Sequence, residues 1–248
     1  MTAGIDAGRR ATDLAERIAV LERSNEELSE FAGVVAHDLL EPLTAVIGYL
    51  QLFQRRHSAD ASPPAAELVG IALEGAEAMR TLVEELLEYT RSDGQTERTL
   101  VHTDALLSRV TDGLSAAVAS SGGVIVADSL PDVMGDAVQL GRLFQNLLSN
   151  ALKFHAPGVA PLVRVSATAE PDGWRFSVSD NGIGVDPASR ERIFGMFRRL
   201  HPRNAYPGSG MGLAVCRKIV ANHCGRIWAE ATPGGGTTIC FFLPEVAP

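Results

Sequence analysis

Apolar residues recur every three to four positions over residues 11–91, and in shorter, partly alternating runs beyond them. Leu14, Leu21, Leu28 and Val35 are spaced by seven, and Ile18, Asn25 and Ala32 each follow four residues later. That is the a/d pattern of a paired coiled helix, with Asn25 at a core position fixing the register. An amphipathic helix lying on a globular core is the plainer alternative, but this segment has little else to pack on. One long helix is expected over 11–57, interrupted at Pro42. The proline removes a backbone donor and clashes with the Asp38 carbonyl, which predicts a kink just past His37. The pattern resumes at Leu43, Val46, Ile47, Leu50 and Phe53. His57 to Pro64 reads as a turn, and a second amphipathic helix follows over 65–91, carrying Leu68, Ile71, Met79, Leu82, Val83, Leu86 and Leu87. Such an αα-hairpin buries one face only, so two copies are expected to form a four-helix bundle in a homodimer.

Ser92 to Glu97 is polar and marks a boundary. Past it the pattern predicts a strand at 99–102, a helix at 103–120, a strand at 123–128 and a helix at 136–154. Strands at 161–169 and 173–180 are joined by a turn at Pro171-Asp172-Gly173. Residues 182–208 read as a loop with short helical pieces, followed by a helix at 209–223 and strands at 225–231 and 237–243. Strands grouped as hairpins favour an α+β sandwich over a doubly wound sheet. The resulting division is an N-terminal helix at 1–27, a helical hairpin at 28–93 and an α/β sandwich domain at 94–248.

Composition narrows the function classes. A net charge of −8 over 248 residues argues against a general nucleic-acid surface, with Arg190 to Arg203 one candidate for a local basic patch. Cys216, Cys224 and Cys240 are odd in number and form no CxxC pair, which fits a reducing, cytoplasmic setting without disulfides or zinc. No apolar run approaches the roughly 18 residues that a spanning helix needs, so no membrane insertion is expected. Asp6, Arg9, Arg10 and Asp13 leave no apolar core for a signal peptide.

Three polar and glycine-rich strings carry the candidate chemistry. Asn146, Asn150 and Lys153 share one helical face, offering amide oxygens to a cation and an ammonium to phosphates. Leu143, Leu147 and Leu148 lie opposite, for packing. Asp180-Asn181-Gly182-Ile183-Gly184 ends a strand; its carboxylate can accept from an exocyclic amine, and its glycines let a flat base approach. Gly208-Ser209-Gly210-Met211-Gly212 opens a helix whose free N–H groups suit an anion. Singly, these strings read equally well as a solvated stripe, a tight turn and a flexible connector. The last is neither a Walker A loop nor a dinucleotide fingerprint.

In this order the strings resemble the N, G1 and G2 boxes of bacterial sensor histidine kinases. Phe194-Gly195-Met196-Phe197 is similar to the F box, Gly234-Gly235-Gly236-Thr237 to the last glycine motif, and Phe31 to Pro42 to the H box around His37. Phe197 to Gly208 further resembles the phytochrome-like branch. The resemblance runs from about residue 28 to 243. It implies a dimerisation and phosphotransfer hairpin followed by an ATP-binding sandwich of the gyrase/Hsp90/histidine kinase/MutL type. It also implies Mg²⁺–ATP as nucleotide, with Asn150 on Mg²⁺, Lys153 and Arg199 on phosphates and Asp180 on the adenine amine. Asn146, Gly182, Gly184, Gly208, Gly210, Gly212 and Thr237 complete the nucleotide site.

His37 is then the phospho-acceptor, with Asp38 as base or orienting group. Related ATPases carry a glutamate where Asn146 stands, and an amide cannot act as a general base toward water. The implied function is an autokinase that passes its phosphoryl group to the receiver domain of a response regulator. A plain Mg-ATPase and a silent dimeric scaffold are the alternatives. His57, His102, His155, His201 and His223 have no such context and read as surface or loop residues. Glu41 stands four residues after His37, where bifunctional members often carry Thr or Asn; a carboxylate there predicts weak phosphatase activity. The short segment before the H box reads as a signalling helix that either follows an upstream sensor domain or takes its input from a sensor protein.

Overall fold

The computed structural model describes residues 32, 35–36, 38–55, 63–91, 98–200, 206 and 209–245. The chain divides into two compact units, Met1–Asp93 and Gly94–Pro248. The heptads of residues 14–28, His37, the turn at 57–62, the linker at 92–97 and Gly208 lie outside the described residues.

In the first unit, α1 spans residues 38–55 and α2 spans Pro63–Arg91. Helical backbone is continuous from residue 38 to 55, so the helix carries no break at Pro42. A proline deletes one donor, the one directed at the Asp38 carbonyl, and the rest of the ladder survives. α2 begins two residues early, at a Pro-Pro pair whose fixed φ and missing N–H suit a first helical turn. Among the described residues of this unit only Ala36, Ile47 and Ala76 are buried. Leu39, Val46, Tyr49, Leu52, Phe53, Leu68, Ile71 and Met79 are exposed.

The second unit is an α/β sandwich. β1 (Thr99–Val101) and β3 (Val133–Gly135) form an antiparallel pair, and β2 (Val124–Ala127) lies between them in sequence. The pair clasps α3 (Thr103–Gly113) and α4 (Ser115–Ser121). One helix was expected over 103–120. It breaks at Leu114, just after Gly113, a weak helix former. α4 ends on Gly122 in the left-handed conformation, φ 64°, as C-terminal glycines do. β3 went unforeseen because three paired residues carry no readable alternation.

α5 (Ala137–Lys153) opens on Asp136, whose side chain accepts from the Val138 and Gln139 N–H groups. Its inner stripe, Leu140, Leu143, Phe144, Leu147, Leu148, Ala151 and Leu152, is buried. β4 (Leu162–Glu170) and β5 (Gly173–Asp180) form the expected hairpin around Pro171-Asp172. α6 (Gly212–Asn222), β6 (Arg226–Ala231) and β7 (Thr237–Pro244) close the unit. The main sheet runs β2-β4-β5-β7-β6, with β2 parallel to β4 and every other pair antiparallel. Phe176 of β5 faces Phe241 of β7 across the ladder and stacks on it at 4.9 Å. Phe144 of α5 sets its edge against both rings, at 6.1 and 5.8 Å. This aromatic trio joins helix layer to sheet.

The period of two then places the chemistry. Asp180 shares the face of Phe176 and Val178, and Thr237 that of Ile239 and Phe241. Both therefore end their strands on the helix-facing side, beside α5.

Candidate functional site

Asn146, Asn150 and Lys153 are half-buried on one face of α5. α6 packs antiparallel to this helix. At one end Asn222 donates to Gln139 at 3.1 Å. At the other, a methyl group on Gly212 would lie 3.2 Å from Asn146 Oδ1 and 3.8 Å from Asn150 Nδ2. The glycine therefore lets the start of α6 come directly against the two amides. No side chain caps that start, so its leading N–H groups have no intrahelical acceptor and point toward any anion held there.

A second cluster forms around Asp180. Its Oδ1 accepts the Gly182 N–H at 2.8 Å and the Thr237 N–H at 2.9 Å. A Cβ on Gly236 would collide with the Asp180 carbonyl, and one on Gly182 with the Phe154 carbonyl just past α5. Gly184 sits 3.5 Å, measured from its Cβ position, from the Gly236 carbonyl. Close approach explains Gly182 and Gly236, while Gly184, Gly234 and Gly235 hold positive φ. Burial lifts the Asp180 carboxyl above the usual carboxylate range, against the pull of the Thr237 and Gly182 N–H groups. Ionised, it therefore costs the fold stability once the pH rises through that raised value. A ligand N–H would relieve the cost, since the two protein donors both occupy Oδ1. Asn181 does structural work, accepting from Leu162 N–H and donating to the Ala160 carbonyl.

A third group lies at the C-terminal end of α5. The Lys153 ammonium sits over the Phe154 ring at 4.3 Å, and the Tyr206 ring packs at 5.2 Å from the same ring. The Tyr206 hydroxyl donates to the His155 carbonyl at 3.0 Å. Arg199 in turn donates to the Tyr206 carbonyl at 2.8 Å. Gly210, at φ 83°, lies against the Arg198 carbonyl and the Arg199 side chain, where a Cβ would crowd both. Phe154 and Tyr206 were not singled out in the sequence; an aromatic residue directly beside Lys153 was the available signal.

The structure thus brings Asn146, Asn150 and Gly212 together, joins Asp180, Gly182, Gly184 and Thr237, and sets Arg199 against Gly210. Asp38 lies on α1 in the other unit. Of the histidines, His102 is exposed beside Asp132, and His155 is half-buried in the loop after α5. His223 departs from the surface reading: it is 3 % exposed, packed between α5 and α6. All three cysteines are free.

No trio of His, Cys, Asp or Glu among the described residues can hold a metal by itself. The amide side chains of the half-buried Asn146 and Asn150 are the donors that would suit Mg²⁺ carried by a nucleotide, an ion usually held by one or two protein oxygens together with phosphates and water. Among the described residues no helix is long and apolar enough to cross a membrane.

Comparison with known proteins agrees with this geometry. Residues 135–247 match the family of histidine kinase-, DNA gyrase B- and HSP90-like ATPases. Residues 27–95 match the His Kinase A (phospho-acceptor) domain. Cyanobacterial phytochrome A of Nostoc sp. is 44% identical over 237 residues, covering 95% of this chain and 31% of the relative. The adaptive-response sensory kinase SasA of Synechococcus elongatus is 31% identical over 247 residues, covering 93% of this chain and 62% of the relative. The chain therefore spans about a third of the length of that phytochrome. Among solved structures, full-length ShkA in complex with AMPPNP superposes with a TM-score of 0.67 at 27% identity, over 88% of this chain and 47% of that one.

Proposed function

We propose, for a chain that belongs to the histidine kinase family through its tandem phospho-acceptor and ATPase domains, that it is an ATP-dependent autokinase. It phosphorylates His37 and passes the phosphoryl group to an aspartate on the receiver domain of a response regulator. The observation that carries this is the meeting of Asn146, Asn150 and the open start of α6 in one cleft, with no carboxylate where water activation would need one.

Each residue has a role in this reading. Asp180 accepts from the adenine amine while Gly182, Gly184 and Thr237 shape the base pocket. Lys153, Arg199 and the N–H groups after Gly210 and Gly212 hold phosphates. Asn150 would supply the protein oxygen that holds Mg²⁺, an ion that would neutralise charge on the phosphates when bound with ATP. Phosphoryl transfer asks for positioning and neutralisation more than for covalent help. A neutral His37 nitrogen forms the new N–P bond as the bond from Pγ to the bridging oxygen breaks, leaving ADP. Asp38 orients the ring or takes up its proton.

Residues 28–93 act as the dimerisation and phosphotransfer domain and 94–248 as the catalytic domain, with 1–27 relaying input from an upstream sensor domain or sensor protein. The exposed apolar residues of α1 and α2 support a homodimer, since one hairpin leaves them in water. Incubation with γ-labelled ATP and Mg²⁺ tests the activity. An autokinase gives acid-labile label on the protein. Free phosphate alone would indicate an ATPase, and neither product a scaffold.

A further inference from the structure

His223 lies far from the phosphates, yet its ring joins the two helices that build their site. Its Nδ1 donates to the Ile219 carbonyl of α6 at 2.8 Å, which leaves Nε2 without a proton. Nε2 accepts the Asp136 N–H at 3.0 Å, and Asp136 is the residue that caps α5. The ring lies against Gly135, where a Cβ would come within 3.0 Å of its Cδ2 and Nε2. Only glycine lets the end of β3 accept the ring so closely. One residue along, Asn222 reaches Gln139.

These contacts fix the C-terminal end of α6 to the N-terminal end of α5. The opposite end of α6, about 16 Å away along an 11-residue helix, carries Gly212 against Asn146 and Asn150. Two packed antiparallel helices pinned at one end cannot slide at the other. We propose that His223 is a positioning residue for the nucleotide site: by accepting the Asp136 N–H it sets how far along α5 the opening N–H groups of α6 stand, and so their alignment with Asn146 and Asn150. This rests on the nucleotide reading of that cleft.

The arrangement works only with a neutral ring, because a protonated Nε2 faces the Asp136 N–H donor to donor. Burial pushes the His223 pKa down; the Ile219 carbonyl pulls it back, the Arg98 guanidinium lowers it further and the Asp136 carboxylate raises it. Arg98 reaches the Asn222 carbonyl at 3.1 Å and Cys224 Sγ at 3.2 Å, which keeps its positive charge beside this junction. The sign follows: with a folded value below the ordinary one of about 6.5, the neutral pin is fully present above that pH. It is lost as the pH falls through the lowered value.

The test compares wild type with His223→Gln, which keeps an acceptor near Nε2 but does not titrate. Binding of a non-hydrolysable ATP analogue with Mg²⁺ is measured by calorimetry from pH 8 to pH 5, with near-UV dichroism confirming the fold at each pH. The two proteins should agree within about twofold at pH 8. On acidification wild type should lose affinity about fivefold or more beyond His223→Gln, the lower end of the usual range for coupled sites. Titration of the analogue itself is common to both and cancels. Should the glutamine variant not fold, the Asp136 amide resonance of wild type serves instead: it should move over the same pH interval as the affinity. Superimposable profiles, or an amide that moves in a different interval, overturn the proposal while leaving the nucleotide site standing. No binding by wild type at any pH overturns both.

Discussion

Asp180, in the role proposed for it, would serve binding at the expense of stability. Its buried carboxyl is lifted out of the ordinary range and its Oδ1 is already taken by two backbone N–H groups. Asp180→Asn keeps an oxygen for those two donors and removes the buried charge, but turns an N–H donor toward the base. The variant is expected to melt at or above the wild-type temperature at pH 7 while binding an ATP analogue at least about tenfold more weakly, the usual outcome when a polar pocket is mismatched. Differential scanning calorimetry and titration calorimetry on one sample check both halves, and a loss of both together would contradict the account. The position of Asp180 was legible in the sequence: alternation along Trp174 to Asp180 fixes its face, and the glycines after it mark close backbone approach. His223 was not legible. Its ring meets Gly135 and Asp136 and feels the charge of Arg98, residues some 85 to 125 positions away in the chain, and no local pattern records such a contact.

At the scale of elements, the site is the junction of α5, the start of α6 and the turns after β5 and before β7. The long periodic elements were readable: α5 from its apolar stripe, and the β4–β5 hairpin from its turn. Boundaries set by single residues were less so. Gly113 divides the helix expected at 103–120, Pro42 fails to interrupt α1, and α6 starts three residues late because Ser209 to Met211 belong to the loop. The segment after Arg199 meets α5 through Tyr206, whose hydroxyl holds the His155 carbonyl while its own carbonyl holds Arg199. Tyr206→Phe removes one hydrogen bond and keeps the ring on Phe154. A hydrogen bond of ordinary net worth, about 0.5–1.5 kcal/mol, corresponds to a Kd for the ATP analogue raised about two- to tenfold. Fluorescence anisotropy with a labelled nucleotide reads this directly, and an unchanged Kd would remove Tyr206 from the binding account.

For the molecule as a whole, the chain forms two units of different character. The second unit closes its own core around the Phe144, Phe176 and Phe241 trio. The first leaves Leu39, Val46, Phe53, Leu68 and Ile71 in water, which points to a second copy as what covers them. Light scattering at micromolar concentration should return twice the chain mass of 26.3 kDa, and a monomer there would contradict the bundle. The chain divides between Asp93 and Gly94, where the helical and alternating patterns of the sequence meet at a polar stretch. In the proposed reaction, what joins the two units is chemical: a phosphoryl group bound by the second would be accepted by the first. The most direct measurement is therefore the position of that group. After incubation with Mg²⁺–ATP, proteolysis and mass spectrometry under alkaline conditions should place one phosphoryl group on the peptide containing His37. It should be absent in His37→Gln and in Asn150→Ala. Phosphate on another residue, or release of free phosphate with His37 unmodified, would contradict the account.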